Sequence, residues 1–298
     1  MGRRGLTYKN NGYWFQLPAL LVVGFIFLNP IIRMFLFSLE GWSYLRPTGF
    51  NNFGNYISLL SDRHFYETMG NNAIIILGVV PVVILISLTF AQAIFNKIPG
   101  YAVYTFLFFI PVVMPDIVVA KILTEVLNKA GPLNQFFNWI GLGFLDQDWL
   151  GAPGYSLFSI IISLIWKNIG FALVLFLARL TTVDGAIYEA ADIDGATAPQ
   201  KFVFITLPML ASTISVYVVL QVIGLMSFLF SYIHVMTAGG PGYSSTVLEY
   251  FIYLNTFRLQ EIGVGGAAGV ILILITLVFI YNYLLASRRR ARKNREAA

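Results

Sequence analysis

The residues with the clearest chemical potential are a few polar side chains inside long apolar stretches. Asp116, Lys167 and Gln221 each lie in or beside a stretch long enough to cross a membrane. An ionisable group at membrane depth is costly, so it is a candidate for function wherever it occurs. These side chains are therefore predicted to line a path for a polar solute.

Lys167 has the most informative neighbours, because Trp166 and Asn168 flank it near the middle of its stretch. An aromatic face beside hydrogen-bonding groups suits a solute that is apolar on its ring faces and polar at its rim, as a sugar is. The predicted substrate path consists of Asp116, Trp166, Lys167, Asn168 and Gln221. A second interpretation stays open, in which Lys167 and Asp116 neutralise each other or a charge on a neighbouring subunit.

Little in the chain supports catalysis. It has no cysteine, and its two histidines, His64 and His234, show no paired metal-ligand spacing. No G-x-x-x-x-G-K-[ST] loop is present, so no nucleotide site of that kind is expected. Four glycines between 263 and 269 lead into the last apolar stretch, where small residues favour close helix packing. We predict a chain with no catalytic residue, no metal site and no cofactor of its own.

A second cluster of chemical interest is the loop 184–208, DGAIYEAADIDGATAPQKFVFITLP. Its Glu-Ala-Ala triplet favours a helix with a face of small side chains, and Gly195 can end that helix with a positive φ. A second short helix can start near Pro199, since proline suits a first helical turn. Pro208 is expected to bend the chain into the next apolar stretch.

Composition identifies the elements that must hold these residues. Of 298 residues, 58% are hydrophobic and 11% are charged, whereas a soluble domain carries roughly a quarter charged residues. Long apolar stretches approach the ~20 residues that cross a bilayer as a helix, and helices satisfy their own backbone polar groups in lipid. We predict an all-α integral membrane protein with residues 1–298 in a single transmembrane domain. The six predicted spans are 15–32, 73–95, 101–122, 157–177, 209–231 and 267–286.

Basic residues orient these spans. Lysine and arginine are concentrated at 3–9, 97, 179, 201 and 288–295, which all fall on one side of the membrane after six crossings. The positive-inside rule makes that side the cytoplasm, so both termini are predicted to be cytoplasmic. The outer segments 39–72 and 123–156 are expected to form short interfacial helices. Because much of the net charge of +5 lies beside a span, we predict contact with membrane lipid and none with nucleic acid.

This orientation places the loop 184–208 in the cytoplasm, although it is acidic. Asp184, Glu189, Asp192 and Asp194 oppose the positive-inside tendency. Acidic side chains at a membrane surface favour a protein partner over anionic lipid. The plainer alternative is an ordinary cytoplasmic hairpin.

At this loop the sequence resembles the EAA loop of permease subunits in binding-protein-dependent ABC importers. The pattern is Glu-Ala-Ala, three residues, Gly, nine residues, Ile, one residue, Leu-Pro. Every position is met, by Glu189, Ala190, Ala191, Gly195, Ile205, Leu207 and Pro208. Pro18, Asn29-Pro30, Asn72 and the Gly-Gly-Pro segment at 239–241 resemble the carbohydrate-type permeases, in particular the MalF-like partner of a two-permease heterodimer. Pro199 departs from that pattern, since these permeases more often carry an aromatic residue there.

The resemblance implies a bundle of six transmembrane helices with cytoplasmic coupling helices. In that family the loop docks on an ATP-binding subunit, which assigns ATPase coupling to Glu189, Ala190, Ala191, Asp192, Asp194, Gly195, Leu207 and Pro208. It also implies a second permease subunit, two ATP-binding subunits that carry ATP and Mg, and an extracytoplasmic substrate-binding protein. Such a complex moves a sugar or oligosaccharide by alternating access across a prokaryotic inner (cytoplasmic) membrane. The alternative is a secondary transporter or channel for a small polar solute without an ATPase partner, which has no reason to carry an EAA loop.

Overall fold

The computed structural model describes residues 12–43 and 46–296, and these are mostly helical. The basic residues at 3–9 lie outside the described residues. The helices are α1 (Gly12–Val23), α2 (Asn29–Leu39), α3 (Gly54–Ser61), α4 (Arg63–Phe95), α5 (Tyr101–Val113), α6 (Asp116–Leu127), α7 (Pro132–Trp139), α8 (Tyr155–Leu180), α9 (Gly185–Ile193), α10 (Ala198–Lys201), α11 (Leu207–Ser227), α12 (Phe230–Met236), α13 (Leu248–Tyr253) and α14 (Ile262–Glu296). Shorter elements are the π-helical segments Gly24–Leu28, Phe202–Thr206 and Leu254–Arg258, a 3₁₀ turn at Gly143–Leu145, and strands β1 (Glu40–Ser43) and β2 (Arg46–Phe50).

The apolar helices are long enough to cross a membrane. In the described part of the chain, five helices are long and apolar enough to span a bilayer, namely Phe15–Leu39, Arg63–Phe95, Tyr155–Leu180, Ala198–Ser227 and Ile262–Ser287. The bent pair formed by Tyr101–Val113 and Asp116–Trp139 completes the six predicted spans when it is counted as one. The all-α membrane fold class is confirmed.

The third span is not the single helix predicted over 101–122. The chain bends by 106° between the helix ending at Val113 and the helix beginning at Asp116. Met114 is extended, with φ −79° and ψ 139°, because the ring of Pro115 disfavours a helical conformation in the residue before it. Prolines at 111 and 115 lie on either side of Met114, and the span is completely broken there.

The sequence predicted a break at Pro208, where the chain enters the fifth span, but the structure shows no interruption of the helix there. The helix is continuous from Ala198 to Ser227, so this span begins well before the predicted residue 209. Phe202–Thr206 is π-helical immediately before Leu207 and Pro208. The wider π turn accommodates the missing proline N–H and the bulk of its ring, which would break a regular α-helix.

The outer segments contain the predicted short helices, α3 in the first and α7 in the second. The first also contains an antiparallel hairpin of β1 and β2, which was not predicted. Its register shifts between Gly41 and Trp42, and its strands are four and five residues long. Strands this short show too little alternation to be recognised in the sequence.

The described residues divide into two compact units, one formed by the chain up to Ser61 with Ile252–Ile271, the other by Asp62–Phe251 with the chain from Leu272. In the first unit, Asn55 Nδ2 donates to the carbonyl oxygens of Ser38 and Glu40, both at 2.8 Å. A Cβ at Gly266 would lie 3.1 Å from Ser38 N, which confirms the close packing predicted for this glycine cluster. The single domain predicted over 1–298 stays a prediction.

The second unit is built around the pairing of α4 with α8, which α5 and α11 extend. Ser87 Oγ of α4 donates to the carbonyl oxygen of Ile169 at 3.0 Å. Gly170 lets α8 approach α5 closely, because a Cβ there would overlap the Phe108 carbonyl. This packing fixes the middle of α8, where Lys167 lies.

Candidate functional site

The loop 184–208 folds as a helix, a left-handed turn and a second helix, and we call the segment the elbow. Asp184 caps α9 by accepting a hydrogen bond from Ala186 N at 3.0 Å. Gly195 ends α9 with φ +76°, a conformation that glycine adopts without strain. α10 starts with a capping box in which Thr197 N donates to Gln200 Oε1 at 2.7 Å. The two predicted short helices and the positive φ of Gly195 are confirmed.

Side-chain contacts hold the elbow in shape. Lys201 Nζ lies 2.5 Å from Asp192 Oδ1, which joins the second helix to the first. Tyr188 OH lies 2.9 Å from Thr206 Oγ1, and the Tyr188 ring packs 5.9 Å from that of Phe95 at the end of α4. The elbow is therefore anchored to the beginning of the fifth span and to the end of the second.

Most of the elbow surface is exposed. Among the residues predicted to couple to an ATPase, Ala191 is half-buried and the exposed ones are Glu189, Ala190, Asp192, Asp194, Gly195, Leu207 and Pro208. The structure gathers Glu189 to Gly195 on the elbow, whereas Leu207 and Pro208 lie in the first turn of α11. Their coupling role stays a prediction.

The elbow also exposes large apolar side chains that the sequence prediction missed. Ile193 is 87% exposed and Phe204 is 75% exposed. Exposed apolar side chains gathered on one surface mark sites of protein or membrane contact. A signal for the exposure of Ile193 was present in the sequence, because this isoleucine lies between two aspartates at the end of a predicted helix.

Lys167 of α8 lies at the break in the third span. Its ammonium donates to the carbonyl oxygens of Pro111 at 2.8 Å and Met114 at 2.6 Å, and lies 3.2 Å from Asp116 Oδ1. The last carbonyls of a helix have no partner within that helix, and lipid offers none. Lys167 supplies the donor for Met114 O and a second donor for Pro111 O, which also accepts from Met114 N at 3.3 Å, and we call this arrangement the Lys167 clamp.

The Lys167 clamp engages all the hydrogen-bonding capacity of the lysine. An ammonium has three N–H donors, and the carbonyls of Pro111, Met114 and, at 3.4 Å, Val112 surround it together with the Asp116 carboxylate. The side chain is only 14% exposed. The ion pair with Asp116, which the sequence left open, is present. Substrate contact by Lys167 stays a prediction.

The other predicted path residues lie on α8 and α11. Asn168 Nδ2 donates to the carbonyl oxygen of Leu164 in its own helix at 2.7 Å, and Trp166 is partly exposed. Gln221 is buried on α11, one turn after Tyr217. The Tyr217 hydroxyl is buried and has no hydrogen-bond partner among the described residues. Tyr217 was missed, although a spacing of four places it on the helix face of Gln221.

α12 contacts the Lys167 clamp through Tyr232, whose hydroxyl donates to Asp116 Oδ1 at 3.4 Å. This helix begins where Glu249 Oε2 accepts hydrogen bonds from Leu229 N at 2.7 Å and Phe230 N at 2.9 Å. A carboxylate at a helix N-terminus also interacts favourably with the helix dipole. Burial nevertheless raises the pKa of the Glu249 carboxyl, because it disfavours the charged form.

Replacing Glu249 with glutamine is expected to remove a pH dependence of stability. The pKa of Glu249 is higher in the folded state than in the unfolded state. Its contribution to stability is therefore fully present at a pH below the unfolded-state pKa, and it is lost as the pH rises through the folded-state pKa. Glutamine keeps a carbonyl acceptor for both N–H groups and does not titrate. Thermal unfolding of wild type, Glu249→Gln and the exposed control Glu261→Gln between about pH 4 and 8 measures the effect. An identical pH dependence in wild type and Glu249→Gln would contradict it.

Comparison with known proteins identifies the family. The profile described as "Binding-protein-dependent transport system inner membrane component" matches residues 84–291. A probable ABC transporter permease protein of Pyrococcus horikoshii is 32% identical, over 91% of this chain and 93% of that protein. The trehalose/maltose transport system permease protein of Thermococcus litoralis is 31% identical over 94% of each chain. A crystal structure of a bacterial ABC transporter that imports the acidic polysaccharide alginate matches with a TM-score of 0.79 at 25% identity, over 93% of this chain and 94% of that one.

The matched range includes both the elbow and the Lys167 clamp. The similarity to permeases extends over nearly the whole chain, which confirms the resemblance carried by the EAA loop and makes this a multi-pass membrane permease of an importer. The family match supports the importer over the alternative of a secondary transporter or channel for a small polar solute without an ATPase partner. The chain therefore belongs to the family of inner membrane components of binding-protein-dependent transport systems.

Proposed function

We propose that this chain is one of two permease subunits that carry a sugar or oligosaccharide across a prokaryotic cytoplasmic membrane. Named relatives support the substrate class, since they include permeases for trehalose/maltose and, at 29% identity, for lactose. The pairing of Trp166 with polar neighbours on α8 suits a solute that is apolar on its faces and polar at its rim. The path predicted from Asp116, Trp166, Lys167, Asn168 and Gln221 belongs to this proposal.

The exposed elbow is the observation that carries the mechanism. Two ATP-binding subunits, which hold ATP and Mg, dock on Glu189 to Gly195 of this chain and on the equivalent loop of a second permease. A binding protein delivers the sugar to the outer face, and closure of the ATPases drives alternating access through the elbow. This chain itself catalyses nothing. Its acidic, partly apolar and pre-shaped surface supports a protein partner at this position.

Both termini and the elbow lie in the cytoplasm in this proposal. Within the second unit, the end of α8, the beginning of α11 and the end of α14 line one cavity, so these span ends share one side. Reporter fusions at Asn51, Gln147 and Gly242 are expected to read as outside, and a fusion at Asp184 as inside. An outside signal at Asp184 would contradict both the orientation and the coupling role.

Purification tests the assembly and the substrate separately. Affinity purification of this chain from its own host is expected to recover a second six-helix permease and an ATPase dimer. Full activity of a transporter made of this chain alone would contradict the assembly.

The substrate class is tested on the purified binding protein that serves this transporter. In a thermal-shift screen against a panel of sugars, we expect one of the sugars to stabilise it. Stabilisation only by amino acids or inorganic ions would contradict the substrate class and leave the assembly untouched.

A further inference from the structure

A cavity of about 620 Å³ lies within the second unit, where three span ends converge. The end of α8 contributes Arg179, the beginning of α11 contributes residues 207–215, and the end of α14 contributes residues 283–287. Of the elbow, only its last two residues, Leu207 and Pro208, line it, and no residue of the Lys167 clamp does. Its walls combine one cation, several hydroxyls and a larger apolar area.

The polar part of the cavity is suited to an anion. Arg179 Nη1 donates to Thr182 Oγ1 at 2.9 Å, and no carboxylate among the described residues pairs with its guanidinium. A guanidinium has five N–H donors in a planar arrangement that matches phosphate oxygens. The hydroxyls of Ser212, Ser287 and Tyr283 lie on the same walls. The Arg179 guanidinium therefore has further N–H donors that can bind a phosphate group.

The apolar part of the cavity belongs to the beginning of α11. Leu207, Met209 and Ile214 line it, and Leu207 is exposed. Helix α14 continues beyond Ser287 through 288–295, a stretch that contains six lysines and arginines in the sequence. Each cation near a membrane surface attracts anionic lipid, and basic pockets between spans bind acidic head groups. The cavity thus combines a cation and hydroxyls with apolar side chains on its walls.

We propose that this cavity binds an anionic phospholipid, with its phosphate on Arg179 and its acyl chains against the apolar residues of α11. A free phosphate ion would leave the apolar wall without a partner, and a neutral lipid would leave the net charge of Arg179 uncompensated. The proposal rests on the membrane location of the family and is independent of the sugar assignment. The bound lipid would join the end of α8 to the first turn of α11, next to the elbow.

Lipid occupancy of the purified transporter complex tests this proposal. The complex is reconstituted in nanodiscs of phosphatidylcholine with and without phosphatidylglycerol, released into detergent, and examined by native mass spectrometry. Arg179→Gln removes the cation, Ser212→Phe fills the cavity, and Arg258→Gln removes the same charge from the other unit as a matched control. Arg179→Gln is expected to lower bound phosphatidylglycerol about fivefold, which is the change in affinity that one cation near an anionic membrane surface contributes. Ser212→Phe is expected to lower it as well, and Arg258→Gln to leave it unchanged.

Three results would overturn the proposal. Wild-type occupancy in both Arg179→Gln and Ser212→Phe would mean that no lipid depends on the cavity. Release of bound phosphatidylglycerol by millimolar inorganic phosphate alone would identify a free-anion site. Efficient cross-linking of Ser212→Cys to another subunit would show that protein covers the cavity. Thermal unfolding in pure phosphatidylcholine, expected to match wild type for Arg179→Gln, separates lost lipid binding from misfolding.

Discussion

In the Gly195→Asp variant, ATP hydrolysis is expected to lose its response to the loaded binding protein, and sugar uptake is expected to fall to background. The chain should still insert and assemble, because the change lies on an exposed turn. Gly195 has φ +76°, and no atom lies within 4 Å of the position that a Cβ would take. The elbow itself therefore has room for a side chain there.

Backbone strain alone does not account for this expected loss. A left-handed conformation costs an ordinary residue roughly 1–2 kcal/mol, and aspartate and asparagine tolerate it better than most residues. The larger effect comes from the side chain meeting the docked ATPase, where bulk and charge both oppose close contact. Allosteric coupling amounts to typically about 1–3 kcal/mol, so losing a few contacts at a small interface removes most of it.

Matched variants separate strain from docking. Gly195→Ala adds strain with little bulk, whereas Gly195→Asn adds bulk without charge. Docking predicts a stronger defect in the asparagine variant, and strain predicts a stronger defect in the alanine variant. Glu189→Ala should be milder than either, because the small face of α9 and its Asp184 cap remain. Sugar uptake and ATPase activity, measured together in liposomes, distinguish the effect of backbone strain from the effect of impaired docking. Wild-type uptake and stimulated hydrolysis in Gly195→Asp would show the elbow to be an ordinary connector.

The elbow was largely predictable from the sequence, because local chemistry determines it. Gly195 alone permits the positive φ that its turn requires, and the Thr197–Gln200 capping box forms within one helical turn. The Lys201–Asp192 pair was not predicted, since it joins residues on different helices. Its exposed apolar residues could be located, but only the structure shows that Ile193 points away from the chain.

The Lys167 clamp was not predictable in the same way. Its acceptors are backbone carbonyls 53 and 56 residues earlier in the chain, and every residue has such a carbonyl. The sequence left open a pair between Lys167 and Asp116, but nothing in it indicated that the lysine would also bind backbone carbonyls beside Pro111 and Pro115. Pro208 misled for a related reason, because a π turn can absorb a proline without leaving a sequence signal of its own.

Lys167→Ala is expected to destabilise the folded chain before it affects any substrate contact. The substitution leaves the carbonyl of Met114 without its side-chain donor, the carbonyl of Pro111 with only the 3.3 Å hydrogen bond from Met114 N, and Asp116 without its cation. Each buried acceptor left unpaired costs on the order of 1–3 kcal/mol. The thermal midpoint of the assembled complex should therefore fall by roughly 5 °C or more, with a lower yield of assembled transporter.

Three further variants define which part of the Lys167 clamp matters. Lys167→Met keeps the apolar length without donors, so it should resemble Lys167→Ala. Asp116→Asn should be milder, because the carbonyl bonds of Lys167 remain and the asparagine side-chain oxygen can still accept a hydrogen bond from the ammonium. Lys121→Ala is the control, since Lys121 lies in the same broken span but is 64% exposed and forms an ion pair with Glu125 on its own helix. A thermal midpoint near wild type in Lys167→Ala, together with lost uptake, would assign Lys167 to the substrate path instead.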